Sequence, residues 1–191
     1  DAVPVGVGAM AAILGLEADA VVTGCADAAA ASGQVVEAVN FNDAKQTVIA
    51  GTKAGVDAAC ELLKARGAKR ALPLAVSAPF HSSLMKPAAD RLKERLASVV
   101  VAAPAIPVVN NIDVATPTDP QAIRDALYRQ AFGPVRWVEV VQAIRAQGIG
   151  HIFECGPGKA LAAMVRRIDA DAVTATVLDP ETLAEVRGMI A

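Results

Sequence analysis

The residue best suited to move a proton in this sequence is His81, within Ser77-Ala78-Pro79-Phe80-His81-Ser82. Imidazole changes charge near neutral pH, so it can act as general base and then as general acid. A base of this kind serves a nucleophile. No Gly-x-Ser-x-Gly elbow occurs anywhere in the 191 residues, so the usual serine partner is not supplied in that form. The bland alternative for His81 is a loop histidine making an ordinary hydrogen bond. His151 begins an apolar run and reads as a structural histidine. Two histidines without clustered carboxylates do not make a zinc site.

Other residues offer weaker chemistry. Glu154-Cys155-Gly156-Pro157-Gly158-Lys159 has the form of an anion-binding turn at a helix N-terminus, or of a plain strand-to-helix turn. It lacks the spacing of a phosphate-binding P-loop. Cys155 and His81 form a conceivable thiol-imidazole pair, although nothing in the spacing brings them together. Asn40, Asn42, Asn110 and Asn111 stand at the ends of strand-like runs, where amides bind polar ligands or cap turns. Lys64, Arg66, Lys69 and Arg70 form a basic cluster around Gly67 that suits a phosphate group or an acidic protein, or is simply a solvated face.

The bulk composition narrows the classes. Hydrophobic residues make up 54% and charged residues 20%, which is a globular balance. Aromatics are only 3%, so the core is built from Ala, Val, Leu and Ile. A net charge of -2 argues against nucleic-acid binding by bulk charge. No run approaches the roughly 20 apolar residues of a membrane span. Cys25, Cys60 and Cys155 are odd in number and widely spaced, which excludes a disulfide framework and points to reduced, cytoplasmic thiols. Cys25 and Cys60 lie among alanines and read as packing. The start, Asp1-Ala2-Val3-Pro4-Val5-Gly6, has no basic n-region, is no signal peptide, and reads as the middle of a longer protein.

Elements must position these groups. Ala9 to Leu14, Val35 to Phe41, Gln46 to Ala50 and Arg70 to Val76 have strand character. Asn42-Asp43-Ala44-Lys45 fits a hairpin turn. Glu17 to Ala31 and Thr52 to Arg66 are helical, the second with Val56, Ala59, Cys60 and Leu63 at helical spacing. The order β-α-β-β-α-β is that of a ferredoxin-like unit. Further on, Leu84, Ala88, Leu92, Leu96 and Val99 mark one helix face, with Pro87 tolerable only in its first turn. Ile106 to Ile112 is strand-like, and Asp119-Pro120 is a strong helix start. Helices are expected over 135–146, 159–168 and 181–190, with strands over 151–155 and 173–178. This alternation implies a parallel sheet of three strands, thin enough to suggest missing partners.

Several motifs together carry a family likeness. They are Gly8-Ala9-Met10-Ala11-Ala12-Ile13-Leu14-Gly15-Leu16, Val39-Asn40-Phe41-Asn42, Val48-Ile49-Ala50-Gly51 and the run Ala65 to Leu74. Phe80-His81-Ser82-Ser83-Leu84-Met85, Pro107-Val108-Val109-Asn110-Asn111 and Glu154 to Lys159 continue it. The sequence resembles malonyl-CoA:acyl carrier protein transacylase from end to end. The resemblance implies an α/β fold, with a ferredoxin-like small subdomain over 7–77. Residues 78–191 would be the C-terminal part of an α/β-hydrolase-like large subdomain, and 1–6 a linker from a preceding region.

The implied reaction is a ping-pong transfer in fatty acid biosynthesis. A serine takes malonyl from malonyl-CoA and passes it to the phosphopantetheine thiol of acyl carrier protein. The resemblance makes His81 the base for that serine and makes Gln130 the residue whose backbone carbonyl orients it. It places Asn40, Asn42, Phe80 and Val135 at the acyl pocket, and Lys69 and Arg70 beside the coenzyme A phosphates. Phe80, immediately before the histidine, supports malonyl over methylmalonyl. No resident cofactor or metal is implied, because coenzyme A and phosphopantetheine act as substrates, and the location implied is cytoplasmic. The family's nucleophile elbow, carboxylate-pairing arginine and oxyanion glutamine all precede the matched region. The expectation is therefore a carboxyl-terminal portion, inactive alone, whose partners include the rest of the same enzyme. A non-catalytic module binding coenzyme A or acyl carrier protein, and an acyltransferase domain of a polyketide synthase, are the alternatives.

Overall fold

A computed structural model describes residues 3, 4, 6–76 and 78–190. Ser77 and half of the expected 1–6 linker (Asp1, Ala2 and Val5) lie outside the described residues, as does Ala191. The chain forms two compact units, 1–137 and 138–191.

The first unit is built on a four-stranded antiparallel sheet. The strands are β1 (Gly8–Leu14), β2 (Val36–Asp43), β3 (Gln46–Thr52) and β4 (Arg70–Pro73), in the order β2-β3-β1-β4. Helix α1 (Ala18–Ser32) joins β1 to β2, and α2 (Lys53–Ala65) joins β3 to β4. A two-residue turn, Ala44-Lys45, closes the β2–β3 hairpin, with Lys45 N donating to the Asp43 carboxylate. Strand alternation sends Ala11, Ile13 and Ile49 to the helical face, where they meet Val21, Cys25, Val56 and Leu63. With so few aromatics, the density comes from close approach. A methyl group on Gly24 of α1 would lie 2.5 Å from the Leu63 side chain of α2. One on Gly51 would lie 2.0 Å from the Val35 carbonyl oxygen. Thr52 caps α2 by accepting from Gly55 N, and Gly33, at φ 66°, ends α1.

The rest of this unit is helical. A one-turn 3-10 helix (Ser83–Met85) runs into α3 (Lys86–Ala97), and α4 (Pro120–Gln130) packs against it. Pro87 sits in the first turn of α3, and Asp119 caps α4 by accepting from Ala122 N, both as the sequence indicates. Of α3, only Ala89 is buried; Leu92, on the face expected to pack, is exposed.

Two strand expectations in this unit are corrected. The fourth strand ends at Pro73 rather than Val76. Leu74 N still donates to Met10 O, but Val76 N then turns back to Leu74 O. Residues 106–112 form no strand. Pro107 removes a ladder donor from this stretch and Pro104 another just before it, and Asn110 closes a local loop, accepting from Val114 N and donating to Ala115 O.

The second unit holds α5 (Trp137–Ala146, whose first residue belongs to unit one), β5 (His151–Cys155), α6 (Ala160–Ile168), β6 (Val173–Val177) and α7 (Pro180–Met189). Its strands pair in parallel, His151 with Val173 through Cys155 with Val177. Among the described residues this sheet has two strands, not three, because 106–112 does not join it. A reciprocal capping box at Asp179 and Thr182 starts α7.

Candidate active site

His81 lies eight residues after Pro73, the end of β4, and just before the 3-10 helix. Its backbone has φ 65°, the left-handed region that a non-glycine residue adopts at a cost of about 1–3 kcal/mol. Local bonds hold that conformation. Ser82 is fully buried, and its hydroxyl donates to Pro79 O at 2.6 Å. Met85 N donates to Ser82 O at 2.9 Å. Pro79, also buried, packs where a side chain at Gly8 would be, with a Cβ there only 2.4 Å from the proline ring.

The half-buried His81 ring reaches across the unit. Its Nδ1 lies 3.0 Å from the backbone oxygen of Gln130. A carbonyl oxygen only accepts, so Nδ1 carries the proton and Nε2 keeps a lone pair. Gln130 is the last residue of α4, where carbonyls lack intrahelical partners and carry the negative end of the helix dipole. That oxygen orients the ring and fixes its tautomer, the positioning service a carboxylate gives in other bases.

Helix α4 is fixed at both ends. Arg124 donates to Leu96 O at 3.1 Å and Val99 O at 2.9 Å, tying α4 to the end of α3. Tyr128 OH donates to Asp90 at 2.9 Å, and Lys86 reaches the same carboxylate. Arg129 makes a two-pronged pair with Asp113 at 2.7 Å per bond and a 2.6 Å bond to Asp125. These bonds hold the Asp113 carboxyl below the usual carboxylate range, because Arg129 donates to its charged form.

The other expected site residues fall in two places. Val135 pairs with β2 beside Asn40: Val135 N donates to Val39 O at 2.8 Å and Phe41 N to Val135 O at 2.9 Å. Asn40 and Asn42, both half-buried, stand on β2 next to irregularities in its pairing with β3. Phe80 is 41% exposed, directly before His81. Lys69 and Arg70 are exposed and lie elsewhere, because Arg70 pairs with Leu14 at the far end of β1 from Gly8 and Pro79. Seven strand residues place them on the order of 20 Å from the histidine loop.

Several candidates are spent on structure. The Glu154 carboxylate accepts from Ala162 N at 2.9 Å, so the chain's own anion occupies the start of α6. Arg66 pairs with Asp27, and Lys64 with Glu61. Cys25 and Cys60 are buried, and burial pushes the Cys25 thiol up to about 12, which makes it inert. Cys155 is a free, exposed thiol in the second unit. Asn110 accepts from Asp113 N through its side chain, and so serves its own turn. An open groove of about 590 Å³ beside α1, lined by Val22, Ala29, Ala38 and Phe41 among others, touches neither His81 nor Gln130. No group of metal-ligating residues occurs among those described. Nor is any described helix long and apolar enough to cross a membrane.

Comparison with known proteins decides what this arrangement is related to. The chain is 51% identical over 185 residues to the malonyl CoA-acyl carrier protein transacylase of Escherichia coli strain K12, covering 96% of the chain and 59% of that protein. The chain is a homologue of malonyl CoA-acyl carrier protein transacylase. The acyl-carrier-protein S-malonyltransferase of Burkholderia pseudomallei superposes with a TM-score of 0.93 at 64% identity, over 97% of this chain and 60% of that one. A malonyl-transacylase solved with its type II PKS acyl-carrier protein gives 0.93 at 48% identity, over 96% and 59%. The chain thus spans about three fifths of the length of the transacylases it matches. No family model matches.

One residue in the site escaped sequence reasoning. Glu37 on β2 accepts a hydrogen bond from Ser83 N at 2.7 Å. The two are 46 positions apart, and no local pattern connects them.

Proposed function

We propose that this chain supplies the base and part of the acyl pocket of a malonyl-CoA:acyl carrier protein transacylase, with the nucleophilic serine contributed from outside these 191 residues. The observation that carries the reading is the His81 Nδ1 to Gln130 O bond, which leaves Nε2 free to take a proton. In the first half-reaction Nε2 takes the serine proton as the serine oxygen bonds the thioester carbon. The carbon–sulfur bond then breaks, and the departing coenzyme A sulfur takes that proton from the imidazolium. The second half runs the same way in reverse, with the phosphopantetheine thiol of acyl carrier protein as the attacking group.

Asn40, Asn42, Phe80 and Val135 form part of the acyl pocket in this reading. Lys69 and Arg70 meet the phosphates of coenzyme A, and their distance from His81 suits a substrate that is reactive at one end and anionic at the other. The reaction uses no resident cofactor and runs in the cytoplasm of the producing cell. The four-stranded β-α-β-β-α-β unit is the ferredoxin-like small subdomain, over 7–77. Residues 78–191 belong to the α/β-hydrolase-like large subdomain, and 1–6 link to the rest of the enzyme.

The test uses the complete enzyme containing this chain, malonyl-CoA and acyl carrier protein bearing its phosphopantetheine, followed by intact-protein mass. His81→Ala is expected to lower transfer by about 10²–10⁴, while the 191-residue chain alone transfers nothing. Near-normal transfer by His81→Ala, or turnover by the isolated chain, would overturn the reading.

A further inference from the structure

We propose that Glu37 is a positioning residue: its carboxylate, by accepting the Ser83 N–H, fixes the loop that carries His81. The inference rests on the reading of His81 as the base. Three observations carry it. First, His81 stands at φ 65°, a conformation that relaxes unless the surroundings hold it. Second, Ser82 and Met85 are tied inside the loop itself, so they move with it. Third, the Glu37–Ser83 bond, at 2.7 Å, reaches the loop from the sheet, two residues past His81. It is charge-assisted and sits at the free N–H end of the 3-10 helix, where a negative charge is favoured.

The consequence is a ring held from two sides. Gln130 O fixes Nδ1 from α4, and Glu37 fixes the backbone beneath the ring from β2. Glu37 also shares its strand with Asn40 and Asn42, so one element sets both the pocket and the base. The loss of Glu37 lets the backbone leave the left-handed region and swings Nε2 away from its proton donor.

The complete enzyme tests this with three variants. Glu37→Ala removes the acceptor. Glu37→Gln keeps a neutral acceptor of the same length. Ser83→Pro removes the donor alone, at a first helical position that accepts proline, after Ser82 in the extended conformation (φ -94°, ψ 164°) that proline requires of its predecessor. Glu37→Ala and Ser83→Pro are each expected to lower kcat roughly tenfold, with the KM for malonyl-CoA within about twofold. Glu37→Gln should recover most of the loss, and the double variant Glu37→Ala/Ser83→Pro should be no worse than either single one.

A second readout needs no activity. The nitrogen resonances of the His81 ring should show the Nδ1-protonated tautomer in the parent and in Glu37→Gln, and a mixed population in Glu37→Ala. An unchanged tautomer in Glu37→Ala, additive losses in the double variant, or a Glu37→Gln as impaired as Glu37→Ala would each overturn the proposal. A changed tautomer without any transfer activity in the parent would instead sink the function reading and leave the positioning role standing.

Discussion

The two sheets of this molecule differ in how far each closes its own core. The four-stranded antiparallel sheet has one face covered by α1 and α2, and Ile13, Ile49, Val21 and Leu63 are fully buried there. The parallel pair β5–β6 has α5, α6 and α7 as companions, yet none of its ten strand residues is buried. Val173 stays 42% exposed and Leu178 57%. A parallel ladder needs cover on both faces, and two strands do not provide a self-sufficient sheet. The first sheet is a finished object. The second, among the described residues, is a two-stranded ladder with no buried strand residue of its own.

That contrast can be broken most directly by hydrogen exchange. Amides of Ala11 to Ile13 and Val48 to Ala50 are expected to exchange about a hundredfold or more slower than those of β5 and β6; equal protection would erase the distinction. Truncating a core residue in each region comes next. Leu63→Ala should cost about 2–5 kcal/mol by chemical denaturation, and Val173→Ala under about 0.5 kcal/mol, because only the first leaves a cavity. Helix caps give a smaller effect. Thr52→Ala and Asp179→Ala should each lose about 1 kcal/mol of local stability. In the closed unit that loss leaves the helix formed, whereas α7 is expected to fray, and circular dichroism will register it.

The smallest effect concerns acid. Arg145 donates to Asp169 at 2.5 Å and, with the Asp171 N–H, holds that carboxyl below its ordinary value. Its stabilisation is present above the unfolded carboxylate pKa of about 3.9 and fades as the pH falls through the lower folded value. Asp169→Asn should therefore melt earlier than the parent at pH 7 and match it in strong acid.

Sequence patterns reveal the finished sheet far better than the site. The apolar run Ala9 to Leu14 and the helical spacing of Val56, Ala59 and Leu63 are local signals that lie where the pattern puts them, and the Asn42-Asp43-Ala44-Lys45 turn narrows to Ala44-Lys45 because β2 runs on to Asp43. The apolar run 106–112 misleads because Pro107 within it and Pro104 just before it matter more than its hydrophobicity. The turn at Glu154 carries anion-site spacing, but the occupant is a side chain from the same motif. Lys69 and Arg70 are visible as charges, while their place at the far end of the sheet needs the register of β4 on β1. Glu37 and Ser83 meet only through tertiary structure.

The partner of His81 is a main-chain atom, the oxygen of Gln130. No codon change at position 130 can delete it. A scan of side-chain replacements there would read as tolerance, and an inventory of essential residues would omit the position altogether. The contact is open to chemistry but hidden from genetics: exchanging the peptide bond between Gln130 and Ala131 for an ester would weaken the acceptor and leave every side chain in place.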